Sequence, residues 1–156
     1  MVATEIRERA GGRYSGLVQE EAADFRVHTG LYTDPALFEA ELERLFHQGW
    51  VYVGHTSEVA QPGSFKTTRL GRRPILLSRD EAGALHVLLN ACRHRGATVC
   101  REAEGQAQSY QCPYHGWVYG LDGSLRGISE RAGFPEEFGA DLDGLLRVPR
   151  VAAYRG

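Results

Sequence analysis

The strongest constraint on this chain is a pair of short segments that each place one cysteine and one histidine within a single tight turn. They are Asn90-Ala91-Cys92-Arg93-His94-Arg95-Gly96 and Gln111-Cys112-Pro113-Tyr114-His115-Gly116-Trp117, with 17 residues between His94 and Cys112. Each turn offers one thiolate and one imidazole. Facing each other, the turns can give both sulfurs to one iron and both nitrogens to a second, the ligand asymmetry of one class of [2Fe-2S] cluster. Gly116 directly follows one histidine and Gly96 lies two residues past the other. Glycine there lets the backbone turn sharply and bring N–H groups against sulfur, where they stabilise negative charge. Tyr114 and Trp117 are placed to wall such a centre from water, although aromatics beside a turn are more often plain packing. The same four residues also make an accepted structural zinc set. Zinc fingers usually pair like with like, whereas each turn here is mixed.

Composition narrows what surrounds the turns. With 156 residues, 42% of them hydrophobic and 24% charged, the chain has the size and texture of one globular domain with a real core. No apolar run approaches the length of a membrane span, and the acidic, polar start is no secretory signal, so the expected compartment is cytoplasmic. A net charge of −2 with arginines scattered among acids gives no footprint for nucleic acid. Three cysteines argue against a disulfide framework, and Cys100, outside both turns, reads as a small buried hydrophobe.

Along the chain, residues 1–33 read as an irregular arm. Thr33-Asp34-Pro35 then offers a helix N-cap with proline at the first helical position. Phe38, Leu42 and Leu45 recur at helical spacing and Gly49 stands where a helix could end, so residues 35–48 are predicted as an amphipathic helix. From Trp50 onward, short apolar segments are punctuated by glycine and proline. Strands are predicted at Trp50 to Gly54, Ser64 to Leu70, Pro74 to Ser78 and Leu85 to Asn90, with a hairpin around Asp122-Gly123 and a last strand over Leu145 to Val151. The fold class is therefore mainly β and antiparallel.

Cys-Arg-His-Arg-Gly followed by Cys-Pro-Tyr-His-Gly-Trp resembles the Rieske domain of the α subunits of bacterial aromatic-ring-hydroxylating oxygenases. The likeness extends to the helix, to Trp50-Val51-Tyr52-Val53-Gly54-His55 and to Pro62-Gly63-Ser64-Phe65, covering about residues 30–156. It implies a Rieske fold of antiparallel sheets with a small cluster-binding subdomain, divided as arm 1–33, helix 34–49 and [2Fe-2S] domain 50–156. It implies Cys92, His94, Cys112 and His115 as cluster ligands. The expected role is one-electron relay from a ferredoxin or reductase to a mononuclear Fe(II) in a catalytic domain of the same or a neighbouring subunit.

No close histidine pair remains once His94 and His115 are used, so this stretch alone is expected to transfer electrons without hydroxylating. It would then be a piece of an oxygenase or, alternatively, a stand-alone Rieske ferredoxin. A zinc-stabilised interaction module is the third reading. Ala97 and Tyr114 stand where the respiratory branch carries an extra disulfide, and Trp117 where it carries a serine that bonds the cluster. These departures imply a potential near the low end of the Rieske range, roughly −150 mV. His28, His47, His55 and His86 read as structural or solvent-facing, and Arg93, Arg95 and Arg101 as a rim that an acidic donor could meet.

Overall fold

The structure, a computed structural model, describes residues 14–138 and 144–155. The chain divides into two compact units, Met1–Trp50 and Val51–Gly156. Among the described residues no helix is long and apolar enough to cross a membrane.

Residues 1–13 of the expected irregular arm lie outside the described residues, and over 14–33 the first unit corrects that reading. Strands β1 (Val18–Glu21) and β2 (Asp24–Val27) form an antiparallel hairpin across Ala22-Ala23. Alternating burial, the usual strand signal, is missing because most of its residues are exposed. A single turn, α1 (Gly30–Thr33), precedes α2 (Pro35–Glu41), whose N-cap is Asp34. The Asp34 carboxylate accepts from the N–H groups of Ala36 at 2.7 Å and Leu37 at 3.3 Å, and Pro35 takes the position that needs no donor.

The helix then widens into a π turn over Leu42–Phe46, where His47 N–H reaches Leu42 O at 3.0 Å. The extra residue in that turn shifts the helical phase. Leu37 and Leu42 are the buried positions, while Phe38 and Leu45, expected on the apolar face, are exposed.

Residues 50–54, expected as a strand, are irregular, and the second unit, from Val51, goes on to a short 3-10 turn at Thr56–Val59. The main sheet has the order β5-β4-β3-β6, all antiparallel, from β3 (Ser64–Leu70), β4 (Arg73–Arg79), β5 (Leu85–Leu89) and β6 (Glu104–Gln106). Period-two alternation divides its apolar residues into two cores. Leu76 faces Leu88 across the ladder and joins Phe65 in the core that includes Cys92 and Cys112. Ile75, Leu77 and Val87 turn the other way and pack with Val59. A sheet covered on both faces explains why β4 reads as an apolar run without alternation.

A smaller antiparallel sheet, β7-β8-β9, is built from β7 (Tyr110–Gln111), β8 (Val118–Tyr119) and β9 (Leu125–Gly127). The hairpin expected around Asp122-Gly123 joins β8 to β9, with Gly123 at φ 85°. The predicted last strand reduces to one bridge, Leu88 to Arg147, since Pro149 has no N–H to extend a ladder.

Candidate metal centre

The two Cys/His turns close in the same way. In the first, Gly96 N–H donates to Cys92 O and Cys92 N–H to Ala97 O, each at 2.8 Å. In the second, Gly116 N–H donates to Cys112 O at 3.0 Å and Cys112 N–H to Trp117 O at 2.8 Å. Each cysteine is thus bonded to the residues four and five positions ahead, and each turn is completed by a glycine in the left-handed region, Gly96 at φ 72° and Gly116 at φ 69°. A Cβ on Gly116 would stand 2.5 Å from Ser129 Oγ, whereas one on Gly96 would meet nothing within 4 Å.

The first turn hangs from β5 and the second from β7, the strands that precede them. Asn90 fastens the first from inside the core. Its Nδ2 donates to Cys100 O at 2.7 Å, and its Oδ1 accepts from the N–H groups of Cys100 at 2.9 Å and Val99 at 3.2 Å. Cys100 is buried as expected, and burial pushes its thiol up from the ordinary range.

Both Cys92 and Cys112 are buried and free of disulfides, 4% and 2% exposed. The imidazoles of His94 and His115 lie with ring centroids 4.7 Å apart. Trp117 stacks on His94 at 4.9 Å with the planes 5° apart and is itself buried. Tyr114 stacks on His115 at 3.8 Å but stays exposed. Trp117 therefore shields one imidazole, while the pair of Tyr114 and His115 faces water. Burial, with smaller contributions from His115 and Arg95, holds His94 below its usual pKa and so in the neutral form that can ligate a metal.

Tyr119, which the sequence reading did not single out, completes the site. Its hydroxyl accepts from Arg93 N–H at 3.0 Å and, with its proton left free, donates to Cys92 Sγ at 3.1 Å. Burial first, and then this bond to Cys92, push the phenol far above its ordinary pKa, so it stays protonated as a donor. Strand periodicity from Trp117 could have found it: Trp117, Tyr119 and Leu121 all point inward at two-residue intervals.

The donor set fits a Rieske [2Fe-2S] cluster on the geometry of the side chains. Among the described residues, His94 Nδ1 is the one buried side-chain nitrogen or oxygen without a hydrogen-bond partner, a cost normally avoided unless the lone pair is committed elsewhere. No group of three or more His, Cys, Asp or Glu side chains among those residues is arranged to hold a single metal ion. A Rieske cluster takes two thiolates on one iron and two imidazoles on the other, and these four side chains supply that donor chemistry. Away from the centre, the Nδ1 of His28 accepts from Gly30 N–H, and His55 caps the 3-10 turn. His47 lies beside Glu43, and His86 is held by Asp80. Arg93, Arg95 and Arg101 are exposed.

Residues 49–139 match the family described as the Rieske [2Fe-2S] domain, and the chain belongs to that family. Its relatives include large and alpha subunits of several 1,2-dioxygenases and the alpha subunit of an N,N-dimethyl phenylurea N-demethylase. It is 40% identical over 132 residues to the anthranilate 1,2-dioxygenase large subunit of Acinetobacter baylyi, covering 85% of this chain and 28% of that protein. With the toluate 1,2-dioxygenase subunit alpha of Pseudomonas putida the identity is 37% over 147 residues, covering 90% and 32%. A solved naphthalene 1,2-dioxygenase superposes with a TM-score of 0.77 at 32% identity, over 90% of this chain and 30% of that one. The chain thus spans about a third of the length of the curated relatives it matches.

Proposed function

We propose that this chain is the electron-relay domain of an aromatic-ring-hydroxylating oxygenase, with Cys92 and Cys112 as the thiolate ligands of one iron and His94 and His115 as the imidazole ligands of the other. When bound, such a cluster supplies one-electron transfer. The observation that carries the reading is the pair of identically closed turns, which bury both thiols and bring a partnerless buried imidazole nitrogen beside a second histidine. In this reading residues 50–156 form the Rieske domain, residues 34–49 its helix and residues 1–33 an arm.

The protein's own groups define what the site does. The Trp117 ring excludes water from His94, and the Tyr119 hydroxyl places a donor against Cys92. His115 is exposed, so with a cluster bound it would offer a ligand edge at the protein surface. The electron donor would be a cytoplasmic ferredoxin or reductase, and a mononuclear iron in a catalytic domain of the same or a neighbouring subunit would supply the hydroxylation chemistry. Purified protein should contain two irons and two acid-labile sulfides per chain, be reduced by dithionite and reoxidised by air, and form no product from an aromatic substrate when supplied only with a reductase. Stoichiometric zinc without labile sulfide would refute the cluster assignment.

A further inference from the structure

The segment Gly144–Val148 lies across the stems of both turns. On one side, Leu89 N–H donates to Leu146 O at 2.7 Å and Val148 N–H to Val87 O at 2.9 Å, along the outer edge of β5 that runs into the first turn. On the other, Leu145 N–H donates at 2.8 Å to Gly123 O in the hairpin that leaves the second turn. The approach is so close that a Cβ on Gly144 would stand 2.0 Å from Gly123 O.

Arg147 fastens this strap with its side chain. Its Nη2 donates to Asp122 O at 2.8 Å and lies 4.0 Å from the Asp122 carboxylate, while its Nη1 lies 3.2 Å from His86 Nδ1. A guanidinium has no lone pair to offer, so Nδ1 must be the acceptor. The proton of a neutral His86 then sits on Nε2, which donates to Asp80 Oδ2 at 2.8 Å. His86 Nδ1 cannot be protonated while it accepts from Arg147.

We propose that Arg147 is a positioning residue that locks the β8–β9 hairpin to β5, and hence the stem of one Cys/His turn to the stem of the other, and that this lock holds only while His86 is neutral. Its meaning for the cluster rests on the ligand assignment above; the lock itself does not. When a solvent proton adds to Nδ1, two N–H groups oppose each other, the acceptor of Arg147 is lost and two like charges are left in contact, while the bond from Nε2 to Asp80 remains. The charged groups facing the ring are Asp80 at the end of β4 and Arg147 on the strap, with Asp122 of the hairpin behind Arg147. Its neighbour across the ladder on β4, Ser78, is uncharged. The hydrogen bond from His86 and one from Ala84 N–H hold the Asp80 carboxyl below the usual range, so Asp80 does not titrate near neutrality.

The test is amide exchange at Leu89 and Val148 in the full chain carrying its metal centre, corrected for intrinsic rates, between about pH 8 and about pH 5.5, a range across which imidazoles in general can change charge. In the wild type, exchange should accelerate about tenfold toward low pH, the scale of one lost hydrogen bond. The visible circular dichroism of the cluster should shift over the same range with iron and sulfide content unchanged. His86→Gln, whose amide can still accept from Arg147 and donate to Asp80 but does not titrate, should stay protected throughout. Arg147→Ala should exchange fast at both ends and Arg147→Lys partly restore protection. Exchange independent of pH in the wild type, or a pH response surviving in His86→Gln, would overturn the proposal. Absence of iron and labile sulfide would defeat the ligand assignment while leaving the exchange result to decide the lock.

Discussion

The two Cys/His turns share one backbone and differ in almost everything attached to it. Both close with bonds from the cysteine to the residues four and five ahead, and both end on a left-handed glycine. Yet histidine follows cysteine by two residues in the first and by three in the second. The first turn is tied down from the core side by Asn90 and Tyr119, and its histidine lies against the buried Trp117. The second presents Tyr114 and His115 to solvent, and its fit depends on the absence of a side chain at Gly116. The cysteine backbones are thus held by the same hydrogen bonds in both turns, while the histidines and the Cys92 thiol have surroundings the other turn does not repeat, which allows one half of the site to be sheltered while the other meets a partner.

The largest effect should erase the comparison. Cys92→Ser and Cys112→Ser should each abolish the visible absorbance of the cluster and loosen both turns, because metal binding and folding are coupled where few other contacts hold a loop. Retention of colour by either variant, followed with iron content and thermal melting, would count against the assignment. Asn90→Ala should sharpen the difference, since among the described residues the second turn has no equivalent buried amide. Losing three hydrogen bonds and stranding their buried backbone partners should cost about 3 kcal/mol. Faster amide exchange should be confined to residues 92–100 in that variant.

The paired glycines separate conformation from crowding. Alanine at either position incurs the left-handed penalty of about 1 kcal/mol. Gly116→Ala must additionally displace Ser129, whereas Gly96→Ala meets open space. Denaturant unfolding of the two variants should place Gly116→Ala lower, and Gly116→Ala combined with Ser129→Gly should recover most of the gap. Equal losses would mean that backbone strain alone determines the requirement for glycine.

Motif spacing made the site legible well before the fold. Mixed Cys/His turns impose donor type and order directly, so both turns and the Asp122-Gly123 hairpin beyond the second could be read from residue identity. The helix start was equally plain, because Asp34 and Pro35 act through local geometry. What was missed depends on distant partners. The β1–β2 hairpin has no buried face to impose alternation, β6 and β7 are two or three residues long, and the π turn follows no side-chain pattern. Residues 50–54 and 145–151 look like strands because they are apolar, but their packing comes from the sheet beside them and yields only a single bridge at Arg147. Asn90 and Tyr119 were overlooked for the same reason: each acts across ten or more residues of sequence.

The subtlest test concerns the Tyr119 hydroxyl, the donor aimed at the Cys92 thiol. Replacement of the respiratory-type serine by Trp117 pointed to the low end of the Rieske range, but that expectation did not count the Tyr119 hydroxyl on Cys92. A donor to a thiolate ligand stabilises the more negative, reduced state more than the oxidised state, and so raises the potential. If the two states differ by about 1 kcal/mol in this bond, its loss corresponds to about 40 mV for one electron. Tyr119→Phe should therefore keep two irons and the packing of a buried ring, lower the midpoint potential by about that much in protein-film voltammetry, and leave the exchange of residues around Cys112 unchanged. Because Arg93 N–H also loses its acceptor, local protection at Arg93 should fall. A potential unchanged to within a few millivolts would mean that the hydroxyl only supports the first turn, and the two turns would then be electronically equivalent despite their different surroundings.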